Sequence, residues 1–528
     1  MAAPTDIVRA LRFARRRHAA AAWIRTPAGG LTLLILGSFV LRLLFAASLG
    51  LGIDESYMVA AGRRLQLSYF DHPPIAWWLA WAAAHLAGSD RPIVVRLPFI
   101  LLFALTTWLM YRVTAALFGA RAGLWAAVLA NLCPVIGVTT ASWVLPDGPL
   151  FAALLGASWC LIVALPATGM AAWGWWLGAG ICAGLALSSK YSAGLTILGA
   201  VGFLLSERSG RGWLLRPHPY VAGLAALVMF APVLIWNAEH GWVSLLFQGG
   251  RAEGRFDPFG PVVALAGGAL FMLPWIWLPL MLCGYEAWRR GPADQGRWLL
   301  LCLAAPPIVF FTMVALRSRV LFHWAAPGYL LLLPLLGDAI ARRQGDSRDR
   351  RNIRRWLAAT AAVILLVVAF VATEVRFNWL PAIVPLAKDP AIDAVDWNSL
   401  RRELARRGLL GRPGLVVAAT RWLDAGKIDY ALGGRGTVIC LGDDPREYGI
   451  IAPVANYAGA DVLIVAPRTS PAEIAARFGR LFDAIDTLPP ASVLHRGRLA
   501  LSLPLYLGHR LHPPAGFTAA TGISAGSR

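Results

Sequence analysis

Two acidic positions and one lysine stand where a bilayer would reject them unless they faced a cavity. Asp54, with Glu55 beside it, follows directly on an apolar run at 31–51; Asp147 lies between two further runs, and Lys190 occupies a very short turn between two more. A charged side chain facing lipid at membrane level costs about 3 kcal/mol or more, so these positions carry information. The junctions expected on the same side of the membrane also hold Tyr57, Asp71, His72, Tyr191, Asn237, His240, Arg251, Arg317, Arg319 and His323. Carboxylates beside cations suit the movement of a sugar from a phosphate to a hydroxyl: a base takes the acceptor's proton, and cations hold the charge of the departing phosphate. Asp54 and Asp147 would supply the first function, with Glu55 grouped beside them. Lys190, Arg251, Arg317 and Arg319 would supply the second, and Tyr57, Tyr191, Asn237 and His323 would line the substrate pocket. Neither a P-loop nor a Rossmann glycine pattern after a strand is present, which leaves a donor without a nucleotide.

Each residue also has a plainer reading. Asp54 and Glu55 would cap an interfacial helix, Pro73 and Pro74 would make a turn, and His240 or His323 would be ordinary interfacial histidines. The joint pattern favours function. Lys190, Arg251, Arg317 and Arg319 lie outside against the positive-inside preference, and basic residues so placed suit an anionic ligand such as a lipid phosphate.

The elements that must position these groups are membrane helices. Of 528 residues 58% are hydrophobic and only 15% charged, against about 25% charge in ordinary soluble proteins, so a purely soluble enzyme is excluded. Apolar runs about one bilayer thick occur at 31–51 and at roughly 96–116, 122–141, 147–165, 173–188, 191–206, 219–236, 261–285, 298–316, 323–341 and 356–373, which predicts about 11 transmembrane helices. The basic N-terminal residues 1–30 are placed inside; a cleavable signal peptide is the alternative, weakened by the length of the first run. Arg208, Arg211 and Arg216, then Arg289, Arg290 and Arg297, then the arginines of 342–355 fall in loops of inside parity. The net charge of +20 therefore sets orientation, and no nucleic-acid partner is expected. The Trp-rich stretch Ile75–Gly88 is too short to span and reads as a helix in the outer interface. Six cysteines, five in or beside apolar runs, make no disulfide framework.

Residues 31–375 thus form the membrane domain. Beyond them, short apolar runs at 415–419, 438–441 and 462–465 alternate with helical patterns at 422–432 and 471–482, which predicts a small α/β domain over 376–510. An odd number of spans places it in the periplasm of a bacterium. Residues 511–528 read as a disordered tail.

At these residues the chain resembles the GT-C glycosyltransferases of the protein mannosyltransferase superfamily, in the bacterial branch that includes the lipid A aminoarabinose transferases. The resemblance rests on Asp54-Glu55-Ser56-Tyr57, Asp71-His72-Pro73-Pro74, Pro146-Asp147-Gly148-Pro149, Ser189-Lys190-Tyr191, the segment Trp236 to His240, and the segment Arg319 to Pro327, in order over residues 30–375. It implies an inverting glycosyltransferase of the bacterial inner membrane that uses a polyprenyl-phosphate-linked hexose or pentose. The acceptor would be lipid A, another lipid, a glycan or a protein of the envelope. Asp54 would be the catalytic carboxylate, and Asp147 would hold or activate the acceptor. The aminoarabinose branch has Glu-Lys before its two prolines, where this chain has Asp71-His72, so a fixed donor-phosphate cation gives way to the histidine. The branch also joins an acidic residue and a downstream histidine around a divalent ion. Asp71 and His240 occupy the matching places, which implies a structural metal at most, with no cofactor required for the chemistry.

The rival reading is a polytopic transporter or lipid flippase, which would place ionisable groups near the midplane and show repeated halves. Here they lie at the outer ends, and no repeat is evident. A silent envelope scaffold is disfavoured by the coincidence of Asp54, Asp147 and Lys190.

Overall fold

The computed structural model describes residues 22–24, 26–138, 140–251, 253–377, 395–467, 469–495 and 498–513. Residues 1–21 and Arg25, most of the expected tail and the linker 378–394 lie outside them. Among the described residues seven helices are long and apolar enough to cross a membrane: Pro27–Ser48, Pro92–Phe118, Asp147–Ala164, Gly169–Leu187, His218–Glu239, Gln295–Val314 and Ser347–Glu374. An eighth span is obtained if Gly260–Met272 and Pro274–Ala293, bent by 114° at their junction, count as one. Lipid-facing leucines such as Leu44, Leu224 and Leu366 remain exposed on these helices, as expected of surfaces that meet hydrocarbon.

The expected runs that fall outside this group are interrupted, short or buried. The run at 122–141 is helical only over Ala120–Leu132 before Pro134 opens a short π-turn, and the run at 191–206 gives the helix Ala193–Ser206. Fourteen residues reach about 21 Å, short of the roughly 30 Å hydrocarbon core. Ala326–Arg343 is buried along almost its whole length by its neighbours, with Asp338 near its end held by Arg297 and Arg342. Apolar run length does not tell a lipid-facing helix from one enclosed by protein.

On one side of the bundle, helix Ile53–Ala61, loop 62–74 and helix Ile75–Ala87 form a platform. Trp77 stacks on Tyr69 at 4.2 Å and meets the edge of Tyr57 at 5.3 Å. The C-terminal domain docks on this platform. Its sheet runs β2-β1-β3-β5-β4, with β1 (Leu415–Ala419), β2 (Val438–Cys440) and β3 (Asp461–Val465) parallel, and β4 (Phe482–His495) and β5 (Arg498–Leu511) an antiparallel hairpin added to β3. The hairpin was not expected from sequence, and the helix expected over 471–482 ends at Phe478.

Helix Trp422–Leu432 lies directly on helix Ile53–Ala61. A Cβ at Gly426 would sit 2.4 Å from the Tyr57 Cα, so only glycine permits this approach. Arg63 clamps the junction between Asp90 (2.8 Å) and Asp429 (3.0 Å), and Lys427 Nζ donates to the Leu51 carbonyl at 2.5 Å.

Candidate active site

A cavity of about 720 Å³ opens between the platform, the ends of several bundle helices and the C-terminal domain. Its apolar side is built by Leu195, Phe271, Phe310, Phe311, Val314 and Leu321; its polar side carries Asp54, Tyr57, Asp71, His72, Asp147, Lys190, Tyr191, Arg251 and His323. Nine of the sequence-selected residues therefore meet in one space, although they come from five separate junctions of the chain.

Asp54 lies in the first turn of helix Ile53–Ala61, with its side chain exposed toward the cavity. The turn is anchored by its neighbour. Glu55, 1% exposed, receives Arg96 on both oxygens at 2.8 and 2.5 Å and accepts the Gly52 and Val144 N–H groups at 2.8 and 3.0 Å. Burial alone would raise its pKa, but these donors outweigh burial and hold the carboxyl below its usual range. Glu55 does not line the cavity, so the catalytic grouping read from sequence is corrected: this carboxylate is a buried brace that sets the position of Asp54.

Asp147 opens helix Asp147–Ala164, and Lys190 reaches it from the turn after Leu187, Nζ lying 2.9 and 3.1 Å from the two carboxylate oxygens. So held, Asp147 fixes the lysine at the cavity wall. Arg251 lies over Phe247 (4.6 Å) and Trp324 (5.4 Å) and has no carboxylate partner among the described residues. Burial lowers its pKa, and the charge of Arg446 adds to the effect. His72 and His323 are both pushed down to about 4, chiefly by burial; Lys190 and Arg251 add to it, against Asp71 and Asp147 at His72 and against Asp147 at His323. Two neutral imidazoles thus face the cavity, each able to donate one N–H to an oxyanion. Tyr191 bonds to Ser244 at 2.7 Å, while the Tyr57 hydroxyl accepts from the Glu447 N–H and donates toward Asp71 at 3.4 Å.

The remaining selected residues lie elsewhere. Asn237 is buried, donating to the Val233 carbonyl and accepting from the Leu245 N–H, and braces the end of its helix. His240 stacks on Trp236 at 4.1 Å and lies 2.8 Å from that residue's carbonyl through Nδ1. Arg317 and Arg319 line a separate, smaller cavity. Asp71 is engaged by Arg446, at 3.1 Å, rather than by His240. Among the described residues no group of three or more His, Cys, Asp or Glu side chains is arranged to hold a metal ion. A guanidinium already on the Asp71 carboxylate does not fit a cation site there.

Arg446 is the residue that sequence reasoning missed. It adopts φ +47°, a costly conformation for a residue with a side chain, and projects into the cavity, flat against Trp422 at 3.7 Å. Trp422 follows β1 and Arg446 follows β2, both at the carboxyl ends of parallel strands, where open α/β sheets place their ligand-contacting residues. That rule was the available signal.

The bundle, platform and docked sheet together form the fold seen in ArnT. Residues 71–236 match the family model described as dolichyl-phosphate-mannose-protein mannosyltransferase. The crystal structure of ArnT from Cupriavidus metallidurans bound to undecaprenyl phosphate superimposes with a TM-score of 0.66 at 16% identity, covering 93% of this chain and 99% of that one. The apo state of the same protein gives 0.61 at 16% identity, over 92% and 98%. Among curated proteins, the lipid A galacturonosyltransferase RgtD of Rhizobium johnstonii is 21% identical over 294 residues, 53% of this chain and 58% of that protein. The aligned part thus spans little more than half of that relative. At these identities the structural likeness establishes the fold, and the resemblance read from the sequence holds.

Proposed function

We propose that this integral membrane protein transfers a sugar, with inversion, from a polyprenyl-phosphate carrier to a hydroxyl of an envelope acceptor, at the outer face of the inner membrane of a bacterium. The observation that carries the reading is the meeting, in one partly apolar cavity, of an exposed carboxylate (Asp54), a lysine fixed by Asp147, and an arginine (Arg251) with no carboxylate partner among the described residues. The apolar wall suits a prenyl chain. Lys190 and Arg251, with N–H groups from His72 and His323, suit its phosphate.

In the reaction so assigned, Asp54 takes the proton of the acceptor hydroxyl as that oxygen attacks the anomeric carbon. The bond from that carbon to the phosphate oxygen breaks, and the polyprenyl phosphate leaves with its added negative charge against Lys190 and Arg251. The relatives support the donor class: ArnT is described with undecaprenyl phosphate bound, and RgtD as acting on lipid A. The C-terminal domain would then lie in the periplasm and roof the cavity. The test is transfer by the purified, reconstituted protein from radiolabelled polyprenyl-phosphate sugars, together with mass spectrometry of lipids from cells with and without it. Absence of both transfer and any missing glycosyl increment would refute the assignment.

A further inference from the structure

The smaller cavity, about 410 Å³, is lined by Arg255, Arg317 and Arg319 with Asp257 as its single carboxylate. Among the described residues none of the three arginines forms an ion pair, and Asp257 Oδ1 is occupied by the Phe259 N–H at 2.9 Å. The arginines are gathered by backbone contact. Segments 254–260 and 315–319 are pressed together: a Cβ at Gly254 or Gly260 would lie 2.0 or 1.8 Å from the Arg317 or Ala315 carbonyl oxygen, and the Asp257 N–H donates to the Leu316 carbonyl at 2.7 Å. Three like charges held around one space against a single carboxylate among the described residues leave an excess of positive charge that calls for an anion. The bilayer lies alongside, since Phe256, Phe259, Val262 and Val263 are exposed next to the arginines, Phe259 by 71%.

One segment forms the wall between the two cavities. Arg319, Val320 and Phe322 line the smaller, whereas Leu321, His323 and Trp324 line the larger. Phe322 packs on Phe271 of the larger cavity at 5.4 Å. An anion held by Arg319 therefore lies one wall away from the proposed transfer site, on the lipid-facing side.

We propose that Arg255, Arg317 and Arg319 bind a phosphate group on the acceptor lipid, drawn from the outer leaflet, and so present its hydroxyl to the larger cavity. This rests on the glycosyltransferase reading and adds to it that the acceptor is a phosphorylated lipid. It also separates these arginines from the donor phosphate, to which the sequence alone assigned Arg317 and Arg319.

The test measures binding without turnover, on the full chain in detergent, using lipid A with its phosphates, the same lipid after their removal, and phosphatidylglycerol as competitor. The expected result is at least tenfold tighter binding of the phosphorylated form to the wild-type protein. That preference should be lost in the triple variant Arg255→Gln, Arg317→Gln, Arg319→Gln, which should keep its melting temperature and its affinity for polyprenyl phosphate. A preference that survives in the triple variant overturns the proposal. So does a loss of polyprenyl-phosphate affinity in a triple variant of unchanged melting temperature, which would return the arginines to the donor, or equal competition by phosphatidylglycerol, which would make the patch a general anionic-lipid surface. Failure of the glycosyltransferase reading would be seen separately, as wild-type protein that moves no sugar whatever its lipid preference.

Discussion

Removing the Arg446 guanidinium should loosen the roof of the cavity by a calculable amount. Asp71 is 3% exposed and Arg446 15%, with 3.1 Å between them, and the other side-chain donor to Asp71 is the Tyr57 hydroxyl at a long 3.4 Å. Arg446→Gln would leave a buried carboxylate almost uncompensated. Breaking such a pair costs about 3–5 kcal/mol, and the partial exposure of Arg446 argues for the lower end, about 3 kcal/mol. Because the pair joins loop 62–74 to the sheet domain, the loss should appear as easier separation of the two, not as unfolding of the membrane helices. At about 1.4 kcal/mol per tenfold, hydrogen exchange of the facing helices Ile53–Ala61 and Trp422–Leu432 should accelerate roughly a hundredfold, while Asp147–Ala164 stays protected. Asp71→Asn in the same chain should restore much of the protection, since it removes the stranded charge. A double-mutant coupling below about 0.5 kcal/mol would show that the pair is incidental and that docking rests on the other contacts, among them Gly426, the Arg63 clamp, Lys427 and Glu447.

Asp54→Asn should insert and fold normally, keep its carrier affinity and lose about a hundredfold to ten-thousandfold in kcat, as expected for a missing general base; near-native turnover would leave Asp54 as a helix-capping residue only. Lys190→Ala should weaken polyprenyl-phosphate binding roughly tenfold to a hundredfold, and adding Asp147→Asn, which removes the stranded carboxylate, should rescue stability without rescuing affinity. Burial, reinforced by the charge of Asp71, raises the Glu447 pKa to about 8 against the opposing hydrogen bonds from Phe70 and Gln66. A carboxyl with a raised folded-state pKa contributes stability that is fully present below its unfolded value near 4.5 and lost as pH rises through 8, so docking should weaken from pH 5 to 8 and Glu447→Gln should flatten that profile in thermal unfolding. With Arg446 rather than an ion on Asp71, chelation and His240→Ala should each leave transfer and melting temperature unchanged; elemental analysis finding a stoichiometric divalent metal lost in His240→Ala would contradict this.

The cavity was legible because charge in an apolar sequence is costly wherever it stands. Asp54, Asp147 and Lys190 each interrupt a hydrophobic run, and the chain has no reason to keep them there unless they share a polar space, which they do. The same reasoning did not separate Glu55 from Asp54, because adjacent carboxylates on a helix look alike until Arg96, 41 residues on, is brought to one of them. It also placed Arg317 and Arg319 with Arg251, since the pattern of apolar runs assigns a residue to one end of the helices but not to one of two neighbouring cavities there. Run length left the burial of each helix open for a related reason: Ala326–Arg343, packed inside other helices, is as apolar as a helix facing lipid. The β4–β5 hairpin escaped notice because Pro489, Pro490 and Pro504 interrupt its pattern, and prolines within a run ordinarily argue against a strand.

Arg446 shows what a docked domain adds to a site that membrane helices already supply. Helices deliver groups at their ends, where the backbone is fixed and side chains reach only a short way into the cavity. A loop at the carboxyl end of a parallel strand is free to take a backbone conformation no helix allows, and φ +47° at Arg446 is such a conformation. The cost is sustained because Trp422 covers the guanidinium, Asp71 and Asp444 neutralise it, and Glu447, buried beside it, ties the corner to Phe70 and Gln66. Arg446 and Glu447 thus join the loop bearing His72 to the sheet domain. The end of the cavity that carries His72 and Asp71 therefore takes its shape only while the domain is seated, which makes the C-terminal domain part of the cavity and not an appendage to it.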